Sequence, residues 1–362
     1  MKKKPILILT ILIIPALFFL SINIASSNPG IEIVWEYKTD SFIRSSPFVD
    51  NNKVYFGDYT NKIYSLNSII GNNIWTYKTE GWVESSPLIV NNMLIIGSAD
   101  GFLYCLDKDS GAYIWKYETK RPVYSSASHY NGYIFIGSYD TYVYCLNIES
   151  GKEVWKFKTG GPVYSTPKIN NNSLFFGSFD GNVYAVDIKS GDLIWKYNTG
   201  KGIKSSPLIV KDRLYIGSFN GKLYCLDITD GSVIWDFKTD YSILSSPINY
   251  EDSIFITSYD KYLYCIDMFE GELKWKFKSK LFIKSSPVVN NNYVYFGGQD
   301  GYLYCIDYIN GTEVWSYRLG SPIRSSPAIS DGKLYIGTDN GKFYCININE
   351  KGTAFSSVIG NR

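Results

Sequence analysis

A tryptophan recurs every forty residues, at Trp35, Trp75, Trp115, Trp155, Trp195, Trp235, Trp275 and Trp315, with no slippage over eight copies. A fixed period of this size means one supersecondary unit copied in tandem, each copy burying apolar surface against its neighbours. Within a unit, four short runs rich in Val, Ile, Tyr, Phe and Trp are separated by turn residues. In the copy from Lys201 to Thr239 these are Ile203–Val210, Arg213–Ser218, Lys222–Asp227 and Ser232–Phe237. Branched and aromatic side chains suit a pleated surface, so the runs read as strands.

The breaks between runs carry turn chemistry. Asn51-Asn52, Asn91-Asn92, Asn131-Gly132 and Asp331-Gly332 sit between the first and second strands, and Asp100-Gly101, Asp180-Gly181, Asn220-Gly221 and Asp300-Gly301 between the second and third. Two-residue hairpins with positive φ at both central positions are the expectation for such pairs. Gly71, Gly111, Gly151 and their equivalents mark the third connection. Four antiparallel strands per forty residues is the arithmetic of a β-propeller blade, both of whose faces are covered by neighbours, so the strands are expected to be apolar on both sides.

Ser-Ser-Pro recurs at Ser45, Ser85, Ser205, Ser245, Ser285 and Ser325, with the variants Ser125-Ser-Ala and Ser165-Thr-Pro, which gives eight innermost strands. The fold class is therefore all-β: an eight-bladed propeller over residues 31–350. The periodic part opens with a lone outer strand, Ile31–Tyr37. It ends with three strands, after which Phe355 stands at the expected tryptophan position. The N-terminal strand is expected to complete the last blade and close the ring, hiding two sheet edges. The tryptophans are read as wedges between adjacent blades, since eight equivalent positions cannot face one ligand.

The N-terminal segment 1–30 stands outside the repeat. Lys2–Lys4 is a basic start and Ile6–Ile24 is apolar and uncharged, the pattern of a signal peptide or, if retained, a membrane anchor. Either would place the propeller on the outer side of the cytoplasmic membrane. Residues 351–362 form a C-terminal tail. Of 36 Lys and Arg against 34 Asp and Glu, three basic residues belong to the leader. The near-balance that remains, with no basic cluster, speaks against nucleic acid as a partner.

Six cysteines in an exported chain raise the question of disulfides. Cys105, Cys145, Cys225, Cys265, Cys305 and Cys345 occupy one site of the third strand, filled by Ser65 and Ala185 in the other two copies. Equivalent sites in neighbouring blades should lie about 13 Å apart, beyond the roughly 7 Å a disulfide spans. A small buried residue is the expectation. His129 is the single histidine, so a His-based triad or metal set lacks partners. No phosphate loop, zinc signature or nucleophile elbow occurs, and every copy is too short for inserted active-site loops.

The copies differ most at the residue before Ser-Ser-Pro: Arg44, Glu84, Tyr124, Tyr164, Lys204, Leu244, Lys284 and Arg324. These are expected to ring the mouth of the central channel, with Phe42, Trp82, Arg121, Tyr241 and Phe282 nearby. Lys204, Lys284, Arg324 and Arg44 form a basic arc; Glu84, Tyr124 and Tyr164 an acidic and aromatic one. Such a funnel could accept an anionic or glycan-like ligand or a peptide. The alternative is a solvated rim whose charges avoid one another.

The sequence Ser-Ser-Pro, Tyr-Ile-Gly-Ser, Asp-Gly-x-Leu-Tyr-Cys-Leu-Asp and Gly-x-x-x-Trp-x-Tyr-x-Thr, recurring between Ile31 and Asn347, resembles the pyrroloquinoline-quinone (PQQ)-like β-propeller repeat. The resemblance implies eight blades docked by their tryptophans. It also implies one of two functions, that of quinoprotein dehydrogenases or that of the non-enzymatic propeller of bacterial outer-membrane assembly. The short uniform repeats are nearer to the second. The reading is an exported, non-catalytic scaffold without cofactor or metal, binding an unknown protein or cell-surface partner, with membrane contact only through an uncleaved N-terminal segment. A PQQ-dependent oxidoreductase and a carbohydrate-binding surface protein are the alternatives.

Overall fold

The computed structural model describes residues 31–348. Among them are 32 strands, β1 to β32 in chain order, and no helix. They form eight four-stranded antiparallel sheets. Blade one consists of β2 (Phe48–Asp50), β3 (Lys53–Gly57), β4 (Lys62–Asn67) and β5 (Asn73–Lys78). Blades two to seven repeat this at forty-residue steps. The expected leader and tail, and Phe355, lie outside the described residues.

Blade eight is assembled from both ends of the chain. β30 (Ala328–Ser330), β31 (Lys333–Gly337) and β32 (Lys342–Asn347) take β1 (Glu32–Lys38) as their outer strand. Trp35 pairs with Cys345 and Lys38 with Lys342. The seam between blades eight and one is packed like the others: Phe343 stacks on Phe56 at 4.2 Å with the rings nearly parallel. The ring therefore has no free sheet edge at its junction.

The two middle strands of each blade are buried on both faces, as Val54–Gly57 and Ile63–Leu66 illustrate. The outer strand departs from the expectation of two apolar faces. In β5 only Trp75 is buried and the rest alternates toward solvent. The physical reason is position: at the circumference the wedge-shaped gap between blades widens and water reaches the sheet. A β-bulge precedes each tryptophan, as between Cys105 and Leu106 opposite Tyr113 and Trp115, and such a bulge re-aims the side chain that follows it.

Each tryptophan lies across the seam onto the next blade. The Trp75 indole N–H donates to the Lys108 carbonyl at 3.0 Å, and Trp115 to Ile148 at 2.8 Å. The same bond recurs 33 residues ahead from Trp35, Trp155, Trp195 and Trp275; the Trp235 indole nitrogen finds no acceptor. The glycine of the third connection is the seat of this contact. Gly151 has φ 65°, and a Cβ there would lie 2.7 Å from the Trp115 ring, so both backbone and space require glycine.

The turns are more varied than expected. In the first connection positive φ is found at the first turn residue of every blade, including Lys211 and Glu251, but at both residues only in Asn51-Asn52, Asn131-Gly132 and Asp331-Gly332. The Asp-Gly pairs are not two-residue hairpins. They end four-residue connections such as Ser98–Gly101, where only the glycine has positive φ. Asp100 instead accepts hydrogen bonds from the Tyr104 hydroxyl at 2.8 Å, and from the backbone N–H of Phe102 at 3.0 Å and of Glu80, in the preceding blade, at 2.9 Å.

All six cysteines are buried free thiols. Burial pushes them up, to about 12 at Cys105, Cys145 and Cys305 and to about 11 at Cys225, Cys265 and Cys345. His129 lies in the innermost strand of blade three, where its Nε2 accepts the Gly132 N–H at 3.3 Å and burial lowers its pKa.

Two stability predictions follow from the ring and its wedges. Removal of residues 31–38 should abolish the cooperative melt of the whole propeller; a truncated chain melting like the full one would contradict the closure. Trp115→Ala should cost about 3–5 kcal/mol in denaturant titrations, and Gly151→Ala should also destabilise through the same seam.

Candidate functional site: the central channel mouth

The chain enters each blade along the channel, and the Ser-Ser motif fixes that entry. The first serine is buried in every blade. In blades one to three it bonds to the next blade: Ser45 Oγ donates to the Ser85 carbonyl at 2.8 Å, Ser85 to Ser125 at 3.1 Å, and Ser125 to Ser165 at 3.0 Å, whereas Ser245 and Ser325 donate to carbonyls of their own blades. The second hydroxyl accepts the backbone N–H of the preceding blade. Ser86 N–H bonds to Ser126 Oγ at 2.9 Å, and Ser326 N–H crosses the seam to Ser46 Oγ at 2.9 Å. A belt of hydroxyls thus holds the innermost strands in a ring, each bond contributing about 1 kcal/mol.

This belt positions the residue before it. The structure brings Arg44, Glu84, Tyr124, Tyr164, Lys204, Leu244, Lys284 and Arg324 together around a cavity of about 220 Å³, above the second-position hydroxyls. The two arcs expected from sequence are not separate, because Glu84 reaches across the channel. Its carboxylate accepts the Tyr59 and Tyr164 hydroxyls, both at 2.5 Å. It also meets the Lys284 ammonium at 3.5 Å and that of Lys204 at 3.8 Å.

These contacts set the charge states. Burial would raise the Glu84 carboxyl, but Lys284 and Lys204 and the two hydroxyls outweigh it and hold it at about 2. Lys204 is pushed down to about 7 by burial and by the adjacent Lys284, with Glu84 opposing. Its ammonium sits 3.8 Å from the centre of the Tyr164 ring, a favourable cation–π geometry.

Asp339 organises the other side. It accepts Arg44 Nε at 3.0 Å and Nη2 at 3.2 Å, and pairs with Arg324 Nε at 3.1 Å. Arg324 Nε also donates to Gln299 Oε1 at 3.2 Å, while the buried Gln299 amide nitrogen has no acceptor. Arg44 lies against the Phe42 and Tyr59 rings at 4.7 and 4.8 Å. Four cationic side chains therefore face two carboxylates.

Sequence reasoning missed Asp339, Tyr59 and Gln299. They belong to a second ring, with Ala99, Tyr139, Phe179, Phe219 and Tyr259, in the turn before the third strand. Backbone bonds fold that turn over the channel mouth: Tyr59 N–H donates to the Phe42 carbonyl at 3.0 Å and Asp339 N–H to that of Pro322 at 2.9 Å. The signal was available, since this position is as variable in type as the first ring, but its direction depends on the four-residue turn geometry.

The rings also build an aromatic arc along one side of the mouth. Trp82 lies between Tyr59 at 5.7 Å and Tyr124 at 6.4 Å, nearly parallel to both. The arc continues through Tyr139, Phe179 and Phe219. Phe42 and Trp82 are each 41% exposed. Beside the basic arc, Phe282 packs on Tyr259 at 4.8 Å and is exposed on its outer side, as is Tyr241. Arg121, also exposed, borders the turn of blade three through its carbonyl, which accepts from Thr119.

A calcium- or lanthanide-bound quinone does not fit this donor set. The two channel carboxylates are each engaged by two cationic side chains, and a metal would have to displace them. Among the described residues no group of three His, Cys, Asp or Glu converges.

A family model described as outer membrane protein assembly factor BamB matches residues 24–131, 99–208 and 180–361. The chain is similar in fold to BamB from Moraxella catarrhalis, at 19% identity and TM-score 0.77, over 88% of this chain and 99% of that one. It is similar to the computationally designed Ika8 protein at 16% identity and TM-score 0.79, over 88% and 100%. It is similar to a europium-containing methanol dehydrogenase at 14% identity and TM-score 0.74, over 88% and 93%. No curated protein matches it in sequence.

Glu84→Gln would remove the carboxylate that both lysines face, leaving the Lys284 ammonium without its partner, and should cost about 3 kcal/mol or more at pH 7. The folded carboxyl, at about 2, lies below its ordinary 4.5. The stabilisation is therefore complete above pH 4.5 and is lost as pH falls toward 2. Melting curves of wild type and variant should converge over that window; a gap that persists at pH 2 would contradict the network.

Proposed function

We propose, from the premise that this chain belongs to the family described as outer membrane protein assembly factor BamB, that the protein is an exported, non-catalytic propeller that holds another protein on its channel-mouth face. The observation that carries this reading is the state of the polar groups there. Glu84, Asp339, Arg44, Arg324 and the two lysines are engaged with one another, and a fixed charged surface suits recognition better than proton transfer. Among the described residues the connections are short and form no lid that could exclude water from a reaction.

Export is supported by Lys2–Lys4 followed by the apolar Ile6–Ile24. The segment serves as a signal or as an anchor, so the propeller works at the outer side of the cytoplasmic membrane.

Affinity capture with the full chain from membranes of the native cell should retain a protein at saturable stoichiometry, and free propeller should displace it. Failure to retain any protein saturably would remove this reading. Reconstitution with PQQ and calcium should give no dye-linked oxidation of alcohols or sugars; cofactor-dependent turnover would replace it with the oxidoreductase.

A further inference from the structure

We infer that the channel mouth is a carboxylate-accepting site for an acidic peptide segment carrying apolar side chains: a carboxylate enters beside Lys284, Lys204 and Arg324, and its apolar neighbours rest on Phe42, Trp82 and Phe282. This deepens the scaffold reading and rests on it.

The first observation is charge. Within the two rings that form the mouth, four cationic side chains meet two carboxylates, Glu84 and Asp339. The surplus is concentrated where Lys204 and Lys284 share one oxygen of Glu84, at 3.8 and 3.5 Å. The mutual repulsion of the two lysines, which with burial lowers Lys204, is what an entering carboxylate relieves. Such relief makes the site complementary to negative charge.

The second observation is unmet hydrogen-bonding capacity. The Gln299 amide nitrogen, beside Arg324, is a buried donor with no acceptor among the described residues. Such groups are rare and costly when left so.

The third is ring orientation. Trp82 runs nearly parallel to Tyr59 and Tyr124, with ring centres 5.7 and 6.4 Å away, and is 41% exposed, so the three rings form an open apolar shelf beside the charges. Aromatic edges carry the positive end of the ring quadrupole, so they tolerate neighbouring carboxylates while giving apolar contact. Alternating acidic and apolar side chains are the matching pattern. The cavity, about 220 Å³, admits one side chain or chain end rather than a folded domain.

The test is a titration of the full chain, followed by tryptophan fluorescence and calorimetry, with a blocked pentapeptide alternating Asp and Phe. Its Lys–Phe counterpart, sodium acetate, inorganic phosphate and an oligouronate serve as comparison arms. The Asp–Phe peptide should bind saturably, the Lys–Phe peptide at least tenfold more weakly, and binding should weaken as salt rises. Lys284→Gln should reduce affinity at least tenfold, and the exposed Phe282→Ser should do so several-fold while leaving the melting curve in place.

Equal binding of both peptides overturns the inference. So does saturation by acetate or phosphate at the peptide's concentration, or binding of the oligouronate in the peptide's place. Unreduced affinity in Phe282→Ser also overturns it. If a captured protein partner is held equally by wild type and both variants, the inference falls and the scaffold reading stands.

Discussion

The contact on which this architecture depends is one indole ring laid on one glycine of the neighbouring blade. It is made by Trp35 on Gly71, Trp75 on Gly111 and onward around the ring. The ring plane fills the gap that radial divergence of two sheets opens at the circumference. Its N–H then satisfies a carbonyl in a turn that would otherwise face the interior of the seam. A flat aromatic with a polar edge is needed to do both, which is why no aliphatic residue replaces it in eight copies. The glycine must be bare because any Cβ would occupy the space of the indole, and its positive φ lets the third connection turn beneath it.

At the inner radius the problem is the opposite. Strands converge until large side chains no longer fit, and serine takes over. The Ser-Ser belt ties each blade to the next with backbone-directed bonds, while the residue before it is released from packing and is free to vary. Rigid hydroxyls below and variable side chains above are what make the channel mouth the one place where this uniform ring becomes individual. The same division explains why Glu84 can cross the channel to Lys204 and Lys284: nothing but small hydroxyls lies beneath it to compete for the volume.

Much of this was legible in the sequence, because a repeat reports its own geometry. The period gave the blades, the eight copies of the Ser-Ser-Pro motif and its variants their number, and the lone strand ending at Tyr37 the closure. The first ring at the mouth was legible too, since Arg44, Glu84 and their equivalents change type where everything around them is constant. What could not be read was the reach of side chains across the axis. Glu84 and Lys284 are 200 residues apart, and no local pattern pairs them. Asp339 was hidden for another reason: its turn looked like a two-residue hairpin, and only the four-residue path folds it over Arg44 and Arg324. The outer strands misled in the opposite sense, since Ile114 and Val154 look like core residues but stand in solvent at the rim.

The closure of the ring has a consequence in time. Trp35 finds its partner strand at Cys345, so the first strand of the described residues pairs with their last. Loop-closure entropy must be met before that pairing returns any stabilisation. Until blade eight emerges, an apolar strand and the open flank of blade one both remain available to wrong partners. Assembly of the ring is therefore gated by the strands from Ala328 to Asn347, and two edges stay unpaired until that circle is complete.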